Sequence, residues 1–310
     1  MTTLIKENLP KRFWHLVKKA KCESYFLKPG NPEEFRSRVI IVRTNTNLDK
    51  RTILRYPELE LIIRAGSGYD NIDVSFAQKN MIKICTTPEA NTLAAYEHTL
   101  SFILALIKQH RLMQKSVLAG KWKQDLKPNW EFSDLKVLIV GVGRIGTRIA
   151  KILLQLGSLV KGVDPYLNKE DWDRKGIEPV SYEEGLSWCN LISFHCPLTT
   201  ETRNYFNQST LEHLDHSIWL LNIARGGIVS EPALFKGLQT GKIKGAALDV
   251  YISEPVKKGA YSEYDNLYLS PHSGSMTENA KERLAKETFK VWYEYVFNKN
   301  LINEIDYRFQ

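Results

Sequence analysis

One stretch near the middle of the chain restricts its architecture more than any other. The apolar run Lys136–Val140 passes without a spacer into GVGRIG at 141–146. Ile145, Ile149, Ile152 and Leu156 then recur at helical spacing, Gly157 ends the pattern, and a second apolar run, Leu159–Val163, closes on Asp164. Strand, glycine turn, amphipathic helix and second strand therefore follow one another directly. Three glycines at this spacing mean little alone; the strand before them and the helix after them give them weight.

Each glycine has a separate physical task. Gly141 permits a tight turn, Gly143 lets backbone approach a pyrophosphate, and Gly146 lets helix and strand lie close. The first amides of the helix then point at phosphate, so Arg144 and Ile145 join the expected cofactor contacts. Asp164 lies 164 − 146 = 18 residues past the last glycine, where a carboxylate accepts hydrogen bonds from ribose hydroxyls and repels a 2′-phosphate. That favours NAD over NADP. The plainer alternative is a glycine turn in an α/β fold that holds no nucleotide.

Further apolar runs at 39–42, 61–63, 191–194, 218–223 and 267–269 alternate with helical patterns, which predicts parallel sheet covered on both faces. At 310 residues the chain is long enough for two domains. A long helix is expected after Pro88 and Asn91, with Leu93, Tyr96, Leu100, Ile103, Leu104 and Ile107 on one face. Another is expected over 277–297, returning the chain to the first lobe. These readings place one domain at 1–92 and 277–310, with 93–276 inserted as the nucleotide-binding domain.

No apolar run reaches membrane-spanning length, and residues 1–21 lack the apolar core of a signal peptide, so a soluble cytoplasmic protein is expected. Cys22, Cys85, Cys189 and Cys196 form no CxxC pair, which predicts reduced, buried thiols and neither a disulfide framework nor a metal site. The formal charge of +8 favours an anionic partner. Its lysines are dispersed without interleaved aromatics, so the expectation is a small anionic substrate, with no nucleic acid and no membrane.

Four later segments, NIARGG, GAALDV, SEP and SPHSG, each set a reactive side chain after an apolar run, where open parallel sheets bind ligands. Here the sequence resembles the D-isomer-specific 2-hydroxyacid dehydrogenases. Arg225 matches the arginine of that family's N-x-[AS]-R-G motif, Glu254 its glutamate before proline, and His272 its histidine after proline. The resemblance implies an NAD-dependent enzyme, with a Rossmann-type domain inserted into a smaller flavodoxin-like α/β substrate domain. It implies that His272 exchanges a proton with the substrate oxygen, that Glu254 orients it, and that Arg225 binds the substrate carboxylate or carbonyl. Each residue alone has a structural alternative: surface salt bridge, turn residue and capping histidine.

The same resemblance makes Asp249 the partner of the nicotinamide carboxamide. It sets His195, Cys196, Pro197 and Thr202 beside the adenosine, largely through backbone, and adds Ala224 to the cofactor contacts. In the first lobe, RAGSGYDNID at 64–73 resembles the loop whose amides at Ser67 and Gly68 hold the substrate carboxylate. PEANTLAAYEHT at 88–99 resembles the opening of the family's long helix, the expected contact of a homodimer or homotetramer.

Arg43 ends IIVRTNT and Arg64 ends LIIRAGS. The phosphoglycerate dehydrogenase branch carries arginines in both segments, positioned for a phosphate, which implies 3-phosphoglycerate and 3-phosphohydroxypyruvate as substrates. A reductase for glyoxylate, hydroxypyruvate or another unphosphorylated keto acid is the alternative, and a non-enzymatic NAD sensor a third. Two departures stand out: a short approach between Trp130 and Lys136, and Leu138 where a glycine is common. Both are expected to touch the hinge rather than the chemistry. With the sequence ending at Gln310, no C-terminal regulatory domain, and hence no serine feedback through one, is expected.

Overall fold

The computed structural model describes residues 1–27, 29–123, 126, 128–259, 261 and 264–307. The chain divides into two compact units, Met1–Ala94 with Ser275–Gln310, and Ala95–Gly274.

The first unit is built on five parallel strands, β1 (Thr3–Ile5), β2 (Phe26–Leu27), β3 (Val39–Val42), β4 (Leu61–Arg64) and β5 (Lys83–Thr86), in the order β2-β1-β3-β4-β5. This is the flavodoxin order expected of the smaller domain. Every residue of β3 and β4 is buried, because both faces of the sheet are covered. Val39, Ile41, Leu61 and Ile63 pack with Phe13, Val17 and Trp292, whereas Ile40, Val42, Ile62 and Ile84 pack with Ile53 and Ala77. The edge of β5 is paired too: Thr86 N donates to Asn303 O and Ile305 N to Ile84 O, both at 3.0 Å. An edge satisfied in this way offers no template to another chain.

The second unit holds seven parallel strands: β6 (Lys136–Val140), β7 (Leu159–Val163), β8 (Glu178–Pro179), β9 (Leu191–Phe194), β10 (Ile218–Asn222), β11 (Ile243–Leu248) and β12 (Leu267–Leu269). Their order is β12-β11-β10-β9-β6-β7-β8. The winding reverses at β6, which pairs with both β7 and β9, so the glycine turn following β6 leaves the sheet at its topological switch point. This is the doubly wound Rossmann arrangement that the glycine unit predicts.

Some local readings change. The short strands β1, β2, β5 and β8 escape the apolar pattern, being two to four residues long and, in β5, starting at the exposed Lys83. The helix Thr92–Ile107 forms as expected, but Leu93 points outward at 41% exposure while Thr99 and Phe102 are buried. Leu138 is fully buried in β6, against Gly185 of the helix Tyr182–Trp188: a β-carbon on Gly185 would lie 2.5 Å from Leu138 Cδ1. A glycine given up in the strand is thus matched by one in the helix over it. All four cysteines are buried free thiols. Among the described residues no helix is long and apolar enough to cross a membrane.

Candidate active site

The glycine turn shows why its residues are small. Gly141 has φ +92°, and a β-carbon there would lie 2.5 Å from the backbone nitrogen of Cys196. One on Gly146 would lie 2.1 Å from Gly141 O, so helix and turn touch backbone to backbone. Gly143 precedes the helix Arg144–Gln155, and a β-carbon there would meet nothing within 4 Å. The turn is therefore closed on its protein side and open at Gly143, a cradle that fits a pyrophosphate on a helix N-terminus. Asp164, at the end of β7, accepts from Val142 N at 2.9 Å and Tyr166 N at 3.2 Å, which ties the carboxylate to the turn.

His195, Cys196 and Pro197 follow β9 and lie against that turn, His195 N donating to Val140 O at 2.7 Å. Thr202 Oγ donates to Pro197 O at 2.6 Å and accepts from Thr199 N at 2.8 Å, closing the loop on itself. Burial pushes the Cys196 thiol up to about 12, so this cysteine is not a thiolate near neutral pH. The His195 ring is neutral, pushed down to about 3 by burial, and Nε2 pairs with Ser193 Oγ at 2.7 Å.

The three residues matched to the family's reactive positions emerge from the same end of adjacent strands. Arg225 follows β10, Glu254 follows β11 and His272 follows β12. Asn222, the last residue of β10, accepts from Ala224 N at 3.1 Å and donates through Nδ2 to Arg225 O at 2.9 Å, fixing that turn. Arg225 Nη1 donates to Ala224 O at 2.7 Å. The next residue is held tightly, since a β-carbon on Gly226 would lie 1.9 Å from Tyr251 O. The loop carrying Arg225 thus rests on the loop carrying Glu254.

Glu254 faces both ways. Its Oε1 accepts from Tyr251 N at 3.0 Å, and its Oε2 lies 2.7 Å from Nδ1 of His272. This contact fixes the orientation of the ring through Nδ1. His272 itself has φ +50°, a conformation uncommon for a residue with a β-carbon.

Asp249, only 2% exposed, accounts for much of that backbone. Its Oδ1 accepts from Ser273 N at 2.7 Å and Ser270 Oγ at 2.5 Å, and its Oδ2 accepts from Gly274 N at 2.8 Å. Burial alone would raise this carboxyl, but His98, Ser270 and the two amides outweigh it and hold it below the usual range. His98, Ser270, Tyr251 and Asn222 are site residues that the motifs did not single out. Asn222 lies inside NIARGG, Ser270 inside SPHSG and His98 inside PEANTLAAYEHT, but nothing in those segments pairs them; Tyr251 lies just past GAALDV, and its contacts too need the fold.

In the first unit, Arg43 follows β3 and Arg64 ends β4, with Val42 paired to Arg64 across the strands. Arg64 is 7% exposed and donates to Ala65 O at 3.0 Å and Thr44 Oγ at 3.3 Å. Gly66 makes room for it, since a β-carbon there would lie 1.8 Å from Arg64 Nη1. Arg43 Nη1 donates to Asn8 O at 3.3 Å, and its Nε is buried with no hydrogen-bond partner among the described residues. Ser67 is exposed and Gly68 half-buried in the loop that follows.

A doubly wound sheet with an open glycine turn at its switch point, followed by this set of loops, defines a dinucleotide-binding α/β domain. Residues 100–274 match the model of the D-isomer specific 2-hydroxyacid dehydrogenase NAD binding domain. The chain belongs to that family, and its cofactor is NAD.

Among curated relatives, D-3-phosphoglycerate dehydrogenase of Synechocystis is 35% identical over 246 residues, which are 79% of this chain and 44% of that protein. The human D-3-phosphoglycerate dehydrogenase is 32% identical over 86% of this chain and 50% of its own. The chain spans about half the length of the curated relatives it matches. Among solved structures, a D-lactate dehydrogenase from Aquifex aeolicus complexed with NAD and lactic acid is 26% identical. It covers 99% of this chain and 100% of its own, with a TM-score of 0.85.

Proposed function

We propose that the protein is an NAD-dependent oxidoreductase acting on a D-2-hydroxy acid and its 2-keto acid, with 3-phosphoglycerate and 3-phosphohydroxypyruvate as the favoured pair. The observation that carries the reading is the 2.7 Å contact of Glu254 with His272 on loops braced against the loop of Arg225. NADH supplies hydride to the 2-carbon, and NAD accepts it in the reverse direction. In reduction His272 Nε2 gives its proton to the carbonyl oxygen as that oxygen gains charge; in oxidation the same nitrogen takes the proton from the hydroxyl. Glu254, 2.7 Å from Nδ1, holds the ring's orientation and fixes its tautomer. Arg225 holds the carboxylate and aligns the 2-carbon.

For the cofactor we assign the pyrophosphate to Gly141, Gly143, Arg144, Ile145 and Gly146, and the adenosine ribose to Asp164. The segment His195, Cys196, Pro197 with Thr202 serves the adenosine, and Ala224 adds a backbone contact. Asp249 Oδ2, which accepts from Gly274 N, has a second lone pair for the nicotinamide carboxamide. Ser67 and Gly68 offer amides to the substrate carboxylate, and Arg43 and Arg64 recognise the phosphate. The buried free cysteines suit a cytoplasmic protein. Exposed Val117, Leu118 and Trp122, just beyond the long helix, suit a homodimer or homotetramer, which sedimentation measures.

A reductase for an unphosphorylated keto acid is the second reading, favoured by the full-length likeness to the D-lactate dehydrogenase. NADH oxidation with 3-phosphohydroxypyruvate, hydroxypyruvate, glyoxylate, pyruvate and 2-oxoglutarate tests both. Arg43→Gln and Arg64→Lys are expected to raise KM for the phosphorylated acid by about 10- to 100-fold while changing that for hydroxypyruvate little. Equal effects on both acids refute the phosphate assignment, and negligible turnover with NADH bound refutes the enzyme.

A further inference from the structure

His98 lies in the helix Thr92–Ile107, remote in sequence from the residues assigned to chemistry. Its Nε2 is 2.9 Å from Ser270 Oγ and 3.5 Å from Asp249 Oδ1, and its ring packs at 4.5 Å on Phe102. Proton counting fixes the direction of this chain. An ionised Asp249 has no proton to give, so the short contact uses the single hydroxyl proton of Ser270. Ser270 Oγ can then only accept from His98, and Nε2 of His98 must carry hydrogen.

The group at the end of this relay holds the loop of His272 on both sides. Asp249 binds Ser270 before the histidine and the amides of Ser273 and Gly274 after it. His272 N also closes on Ser270 O at 3.0 Å. Gly274 fits against the pair closely, for a β-carbon on it would lie 2.9 Å from Asp249 Oδ2 and 3.4 Å from His98 Cδ2. A left-handed conformation at His272 persists only where surrounding contacts over-determine it; the Asp249 contacts are among them, beside Glu254 on the ring and Tyr251 Oη, which donates to Ser270 O at 2.8 Å. Loosening them frees the residue to return to negative φ and carries its ring away from Glu254.

We propose that His98 is a positioning residue: by donating Nε2–H to Ser270 it seats the Ser270–Asp249 clamp, which sets the backbone, and hence the ring, of His272. The proposal rests on the reading of His272 as the proton-exchanging group, but the clamp is measurable without turnover. His98→Leu and Ser270→Ala remove the relay with little change of volume, whereas His98→Gln retains an N–H donor.

Hydrogen exchange of the Ser273 and Gly274 amides is expected to quicken about tenfold or more in the first two variants and to stay near wild type in the third. kcat for NADH-dependent reduction of 3-phosphohydroxypyruvate or hydroxypyruvate should fall about 10- to 100-fold in the first two and recover in His98→Gln. Wild-type exchange at both amides in His98→Leu and Ser270→Ala overturns the clamp. So does acceleration spread evenly over all slow amides, which marks a merely structural loss. His272→Gln is the control for the underlying reading: if it keeps full turnover, the role of His272 fails while the exchange result still decides the clamp.

Discussion

Glu7 and Asn71 grip the same four-residue loop by opposite polarities. The carboxylate of Glu7 accepts from the amides of Arg43 (2.8 Å), Asn45 (3.1 Å) and Thr46 (2.9 Å), while Asn71 Nδ2 donates to the carbonyls of Arg43 (2.9 Å) and Thr46 (2.6 Å). The loop that presents Arg43 is therefore fixed before any ligand arrives.

Burial raises the Glu7 carboxyl, yet the amides of Asn45, Arg43 and Thr46 prevail and lower it. With an unfolded value of about 4.3, its contribution to stability is complete above that pH and is lost as the pH falls through the folded value. Glu7→Gln should cost about 1–2 kcal/mol near neutral pH. The gap from wild type, read from urea midpoints, should narrow in acid; a gap independent of pH would rule out the charge as its source.

Gly185 and Leu138 give a packing test. Gly185→Ala should destabilise by about 1–3 kcal/mol through overpacking. Paired with Leu138→Ala, which alone leaves a cavity, the combined loss should be smaller than the sum. Simple additivity in a double-mutant cycle would show that the two side chains do not compete for the same space.

Gly226→Ala forces a β-carbon into the carbonyl of Tyr251, where no flexible side chain can yield. Separating the loops of β10 and β11 should lower kcat/KM by about 100-fold, with NADH affinity, followed by tryptophan quenching, close to wild type. An active variant would show that Arg225 does not depend on the loop of Glu254.

His195 gives a titration test. Its ring is pushed down to about 3 from an ordinary 6.5, so the stability linked to its neutral form is complete above that ordinary value and is lost as the pH falls through about 3. Its ring resonances, assigned with His195→Gln, should not move as the free protein is taken from about pH 8 to pH 5. A midpoint near neutrality would place the ring in water.

The glycine unit was readable because its information is local: apolar period, turn residues and a terminal acid lie within one βαβ element. The flavodoxin-like domain was harder, since β1 and β2 are too short to show a pattern and β5 begins with a lysine. Arg225, Glu254 and His272 were found by motif, but the bond between the last two follows from β11 and β12 being neighbours, which linear spacing does not state. His98 is 172 residues from Ser270 and Glu7 is 36 from Arg43; such partners are chosen by strand order. Leu138 was visible as a departure, whereas the glycine that accommodates it was not.

Trp292, in the helix Glu278–Asn298, donates its indole N–H to Thr3 Oγ at 2.9 Å and is buried in the core of the first unit. During vectorial synthesis, β1 therefore emerges from the ribosome long before the tryptophan that covers it. The inserted domain, contiguous in the chain, can complete its core while the earlier strands still wait. Nascent chains arrested before residue 275 should thus expose the apolar face of β1, β3 and β4 to chaperones, and release it only once the final helix has been made.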